Sequence, residues 1–143
     1  MLFFGFAFAA QAQVIAFDTT HIEYGYLPQY TKDNKRIFKF TNTGTQPLVI
    51  ESVQTSCGCL VASYPKHPIL PNESGEIIAK YDTNRTGLFV KYITVNSNAI
   101  NFINHEEAGR ARLKVTGHIF ESIDPDKIAP LKQQLDNNKI NDK

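Results

Sequence analysis

Arg36-Ile37-Phe38-Lys39-Phe40-Thr41-Asn42-Thr43-Gly44-Thr45-Gln46-Pro47-Leu48-Val49-Ile50 holds a strand, a turn and the start of a second strand in one short stretch. Phe38 and Phe40 share one side of the chain, with Ile37 on the other, which is the period of two expected of a half-buried strand. Asn42 to Pro47 then reads as a turn, because Asn and Gly tolerate positive φ and Pro cannot continue a hydrogen-bonded ladder. Leu48 to Val53 resumes as a strand. The stretch therefore predicts two β-strands joined by a tight connection.

The same rhythm extends in both directions. Val14 to Phe17 is a brief strand ended by Asp18-Thr19-Thr20, and His21 to Leu27 places Ile22, Tyr24 and Tyr26 on one side until Pro28 stops it. Downstream, Leu60 to Tyr64 precedes a loop spaced by Pro65, Pro68 and Pro71, whose Ile69-Leu70 centre is expected to pack under the domain's edge. Asn72-Glu73-Ser74-Gly75 turns into Glu76 to Tyr81, with Ile77, Ala79 and Tyr81 on one face. Leu88 to Asn96 alternates Phe89, Lys91, Ile93 and Val95 against Val90, Tyr92 and Thr94, and the last strand aligns Leu113, Val115, Gly117 and Ile119. About seven or eight short strands with turn signals every 8–12 residues or so predict an all-β, antiparallel β-sandwich over residues 13–121, with a closed barrel as the alternative.

The flanks are different in character. Met1 to Ala10 is an uninterrupted apolar run, and Ala10-Gln11-Ala12 has the small-x-small pattern of a signal peptidase site, so residues 1–12 are expected to be a signal peptide cleaved before Gln13. The run is shorter than the roughly 20 apolar residues a membrane-spanning helix needs. No Lys or Arg precedes it, which leaves open a start codon upstream of Met1. Residues 122–143 are polar and are expected to form a flexible, weakly helical tail, with Ile128, Leu131 and Leu135 on one helical face and Asp126 as its cap.

Composition narrows the function classes. The 143 residues are 42% hydrophobic with a formal net charge of +1, which supplies no electrostatic case for nucleic acid or a strongly charged substrate. No phosphate-cradling glycine loop, nucleophile elbow or other cofactor motif is present, so no cofactor, no resident metal and no enzymatic activity are expected. The four histidines, His21, His67, His105 and His118, show no close pairing.

The only cysteines, Cys57 and Cys59, lie one residue apart in Thr55-Ser56-Cys57-Gly58-Cys59-Leu60. In an exported chain this pair is a candidate disulfide, with Gly58 expected to ease the turn by freeing φ, and a bridge so tight would be readily reduced. Two thiolates at this spacing would also suit a soft ion such as Cu(I), with His67 as a further ligand, whereas zinc ordinarily takes four ligands. A Cys nucleophile served by His67 is a third arrangement, lacking an orienting acid or amide. The pair also reads as purely structural, packed at a strand end as thiols or as a local clip.

Several of these motifs together resemble one family. Phe38 to Ile50 is similar to its F-x-F-x-N-x-G-x-x-P-L-x-I hairpin, Ser56-Cys57-Gly58-Cys59 to its SCGC signature, Tyr64-Pro65 with Pro68-Ile69 to its proline loop, and Gly87 to Lys91 through Ser97-Asn98-Ala99 to its G-x-F-x-K…SNA strand. This is the bacterial domain-of-unknown-function 1573 family, common in exported proteins. The resemblance covers roughly residues 17–120 and implies an immunoglobulin-like sandwich related to Hydin-type and major-sperm-protein-type domains. At Pro71-Asn72-Glu73-Ser74-Gly75 the chain departs from the family by carrying Asn72 where a glycine is usual, and Asn can still adopt positive φ. The expected function is that of an exported, periplasmic or extracellular module that binds or spaces other envelope proteins without catalysis. Thiol redox or Cu(I) handling at Cys57 and Cys59 is the alternative. The partner and the oligomeric state are not fixed by these residues.

Overall fold

The computed structural model describes residues 11–104 and 106–140. The expected signal peptide falls largely on residues 1–10, outside the described residues, as does His105. Eight strands follow in order: β1 (Ile15–Phe17), β2 (His21–Pro28), β3 (Lys35–Asn42), β4 (Ile50–Thr55), β5 (Leu60–Ser63), β6 (Ser74–Tyr81), β7 (Gly87–Ser97) and β8 (Arg110–Phe120). They form two four-stranded sheets, β1-β3-β6-β5 and β2-β8-β7-β4, packed face to face as an immunoglobulin-like sandwich.

The ladders are antiparallel with one exception: β2 pairs with β8 in parallel, His21 opposite Lys114 and Pro28 opposite Phe120. A fully antiparallel sandwich was the expectation. Alternation encodes which side chains face inward and carries no information about strand direction. A hairpin would force the antiparallel arrangement, but β2 and β8 lie at opposite ends of the domain and are free of that constraint.

Alternating inward residues from both sheets meet in the middle. Phe38, Phe40, Ile77, Ala79, Ile93, Leu113 and Val115 have no exposed surface. Each buried Ile, Leu, Val or Phe contributes about 1.5–3 kcal/mol of hydrophobic stabilisation. Ile69 reaches the core by bridging Leu48, as its loop position suggests, while its neighbour Leu70 is turned outward.

In β2 the expected face is broken. Tyr24 is buried and Ile22 half-buried, but Tyr26 is 77% exposed. The cause is a register irregularity between Glu23 and Tyr26, where Gly25 takes a φ of 74°. One extra residue flips every following side chain to the other face.

Tyr24 sits in an aromatic cluster, edge-on to Phe89 at 5.6 Å, while Phe89 stacks on Tyr81 at 3.8 Å. Its hydroxyl donates to the carbonyl of Ala79 at 3.1 Å, and the Arg36 guanidinium lies 4.5 Å from its ring centre. Burial pushes the Tyr24 phenol from 10.0 up to about 12, with Arg36 opposing the shift; burial raises Tyr81 in the same direction. The unfolded chain therefore gives up this proton near pH 10 while the native state holds it to about 12. Stability is complete below pH 10 and falls as the pH rises towards 12. Thermal melts across that window should show a loss on the order of 1–2 kcal/mol that shrinks in Tyr24→Phe. Parallel curves for the two proteins would refute it.

After β8 the chain forms a helix, α1 (Pro125–Ile140). Asp124 rather than Asp126 caps it, its Oδ1 accepting the Asp126 N–H at 3.0 Å, which places Pro125 at the first helical position where a missing N–H costs nothing. Ile128 is half-buried, and the side chains of Leu131 and Leu135 lie outside the described residues. Among the described residues no helix is long and apolar enough to cross a membrane.

Candidate functional site

Cys57-Gly58-Cys59 lies where the chain leaves one sheet for the other. It connects β4, an edge strand of one layer, to β5, an edge strand of the opposite layer. The two cysteines form a disulfide with Cα atoms 5.2 Å apart. Cys59 is buried and Cys57 packs half-buried against the core. Hydrogen bonds fix the bend on both sides. The Thr55 hydroxyl donates to the Cys57 carbonyl at 3.1 Å, the Ser56 N–H to Tyr92 at 3.0 Å, and the Asp82 N–H to the Cys59 carbonyl at 2.8 Å. The bridge is thus set into the margin of the sandwich beside a shallow depression of about 290 Å³ lined by Asn34, Gly58, Lys80, Tyr81 and Asp82.

Gly58 departs from its expected role. It does not adopt positive φ, and a Cβ built on it would meet nothing within 4 Å. Gly58→Ala should leave thermal stability unchanged or raise it by up to about 1 kcal/mol, since it reduces only the freedom of the unfolded chain. A loss above that size in chemical denaturation would show that the turn needs glycine after all.

His67 does not join the cysteines. It lines a separate groove with Tyr64, Pro65, Ile69 and Glu76, and among the described residues no three His, Cys, Asp or Glu side chains come together. With both sulfurs engaged in the bridge, Cys57 and Cys59 offer no thiolate for Cu(I) or for nucleophilic attack until they are reduced.

A second feature lies on the outer face of the β2-β8-β7-β4 sheet. Tyr26, His118 and Leu88 stand in a row across three strands, Tyr26 opposite His118 and His118 opposite Leu88. Leu88 is 82% exposed, and Val90 beside it is also exposed. The Tyr26 and His118 rings are 5.2 Å apart, and the row borders a groove of about 300 Å³. Further along the same face, the Arg112 guanidinium lies 4.1 Å from the Tyr92 ring centre, and Arg110 bridges Glu106 at 3.7 Å. The row combines three strands distant in sequence, so no local pattern marks the whole of it. Its one visible signal is Leu88-Phe89-Val90, three apolar residues in a strand that should alternate.

The fold recurs in known structures. A protein of unknown function from Porphyromonas gingivalis W83 superposes with a TM-score of 0.61 at 25% identity, over 80% of this chain and 50% of that one. The present chain therefore spans half the length of that relative. The seventh PapD-like domain of human CEP192 gives 0.62 at 8% identity, over 78% and 89% of the two chains. A chain of the CsuC–CsuE chaperone–tip adhesion subunit pre-assembly complex of Acinetobacter baumannii gives 0.52 at 10%, over 73% and 56%. The last two likenesses are of fold alone. No curated protein matches the chain. The model of one family, described as "Protein of unknown function (DUF1573)", matches residues 15–119, and with the hairpin, the cysteine turn and the sandwich all in place, the chain belongs to that family.

Proposed function

We propose that this protein is a non-enzymatic protein-interaction module of the bacterial cell envelope, exported and acting in the periplasm or outside the cell. The observation that carries the reading is the row of Tyr26, half-buried His118 and Leu88, in which Tyr26, Leu88 and the neighbouring Val90 are exposed. Large apolar side chains grouped on a rigid sheet face mark surfaces that another protein covers. Covering Leu88 alone would contribute about 1.5–3 kcal/mol. Export is supported by the apolar leader ending in Ala10-Gln11-Ala12 and by the Cys57–Cys59 bridge, a linkage that persists in oxidising compartments. The fold is one also seen in a chaperone–subunit assembly, which is compatible with partner binding. The separation of His67 from the cysteines speaks against a Cys–His nucleophile.

The test is photo-crosslinking in intact cells, with a photoreactive phenylalanine analogue placed at position 88 and, as a control, at position 39 on the opposite sheet. Position 88 should give a discrete adduct with an envelope protein, and the purified partner should bind the domain and lose that binding in Tyr26→Asp. If position 88 gave no adduct, the reading would fail.

A further inference from the structure

Outward side chains of the β2-β8-β7-β4 sheet change character along the strands. At one end β8 presents Arg110, Arg112 and Lys114 at alternate positions, opposite Asn96, Thr94 and Tyr92 of β7. Arg110 is engaged by Glu106, and the Arg112 guanidinium lies over the Tyr92 ring. Among the described residues neither Arg112 nor Lys114 has an acidic partner in a salt bridge. A polar depression of about 310 Å³ opens here, lined by Gln54, Ser56, Tyr92, Thr94 and Arg112, with the Glu106–Arg110 pair at its side. At the other end lies the apolar groove of about 300 Å³ bounded by Tyr26, Leu88, Val90 and His118, with Glu23 at its side. Gly25 lines it without a side chain to fill it.

We infer that this face docks an extended protein segment carrying carboxylates at one end and a bulky apolar side chain at the other. The inference rests on the interaction reading above and names its partner's chemistry. Charge complementarity selects the acidic end, because Arg112 and Lys114 present cationic groups that a carboxylate can pair with, and Arg112 is already oriented by its stack on Tyr92. Spacing selects the rest. Arg112 stands opposite Thr94, and Leu88 is six residues from Thr94 along β7 (94 − 88), a distance of about 20 Å at strand rise. An extended partner covers that distance in the same number of residues. Because its side chains alternate, only an even spacing points both groups at the sheet. An anionic membrane is the weaker fit. Each cation strengthens such binding only about fivefold, and two free cations with one narrow groove give little hold on a bilayer.

The experiment uses fluorescence polarisation of the purified protein with synthetic dodecapeptides that hold an Asp-Ser-Asp triplet and a Leu, the separation being counted from the outer Asp so that both carboxylates keep one parity. The separation is six residues in one set and five in the other, each set made in both chain directions. The six-residue set should bind about tenfold or more tighter in one direction, and binding should weaken as salt is raised. Arg112→Glu and Leu88→Asp should each weaken it about tenfold, while Lys39→Glu on the opposite sheet leaves it unchanged. These are surface positions, and unchanged melting temperatures would confirm that the variants fold. Equal binding of the two spacings, or indifference to Arg112→Glu and Leu88→Asp, overturns the inference. Equally damaging would be binding to phosphatidylglycerol-rich vesicles that both variants abolish, since the face would then belong to a membrane. An adduct at position 88 in cells combined with failed peptides would sink this inference alone; no adduct would sink the interaction reading beneath it.

Discussion

Asn42→Ala should lower the stability of this domain by about 2–4 kcal/mol, read as a fall in the urea midpoint without a change in slope. Asn42 is completely buried at the end of β3. Its Nδ2 donates to the carbonyls of Gln46 at 2.8 Å and Ile69 at 2.9 Å, and its Oδ1 accepts the Gly44 N–H at 3.0 Å. One side chain thus ties the turn after β3 to the proline loop that carries Ile69 into the core. Alanine would leave the half-buried Gln46 carbonyl and Gly44 N–H without these partners, at about 1–3 kcal/mol each, while the Ile69 carbonyl keeps the Leu48 N–H at 2.8 Å. Asn42→Asp should be no milder. It keeps the acceptor for Gly44 but turns a carboxylate towards two carbonyl oxygens. A loss below about 1 kcal/mol for both variants would mean that water or a local shift replaces the side chain.

The second large effect concerns Phe40 and Gly75, which face each other across the β3–β6 ladder. The Phe40 ring lies directly over Gly75, so that a Cβ built there collides with its Cζ and reaches Cε1 at 3.0 Å. Phe40→Ala should cost about 3–5 kcal/mol through lost burial and the cavity left behind. Gly75→Ala should cost about 1–3 kcal/mol because the ring, fully buried, must move. The two losses should not add. With the ring gone the new methyl has room, and the double variant should be at least about 0.5 kcal/mol more stable than the sum predicts. Strict additivity in equilibrium unfolding would show that ring and glycine do not compete for this space.

These two sites show how far residue patterns reach. Phe38 and Phe40 were legible as core because period-two alternation is a local property of the chain. Ile77, Ala79, Tyr81, Leu113, Val115 and Ile119 were legible for the same reason, and all are buried. Asn72, expected to tolerate positive φ where a glycine is usual, has a φ of 66°. Asn42 at the head of a turn likewise suggests positive φ, yet its φ is not positive; it serves as a buried hydrogen-bonding hub. Gly75 closes a run of turn residues in the sequence but lies inside β6, where it makes room for a ring from another strand. Both misreadings have one cause: the deciding partner, Ile69 in one case and Phe40 in the other, is distant in sequence.

The chain's own pattern of apolar alternation, turn residues and a single closely spaced cysteine pair determined two β-layers, the inward rows and the position of the sulfur-bearing bend. Those features depend on near neighbours, and near neighbours can be read from one strand of text. Only the tertiary structure decided that β2 runs parallel to β8, that Gly25 turns Tyr26 out to solvent, and that Arg112 and Leu88 share one exposed face. Each of these depends on which distant strands lie side by side and in what register, and that outcome is settled by packing the two layers together.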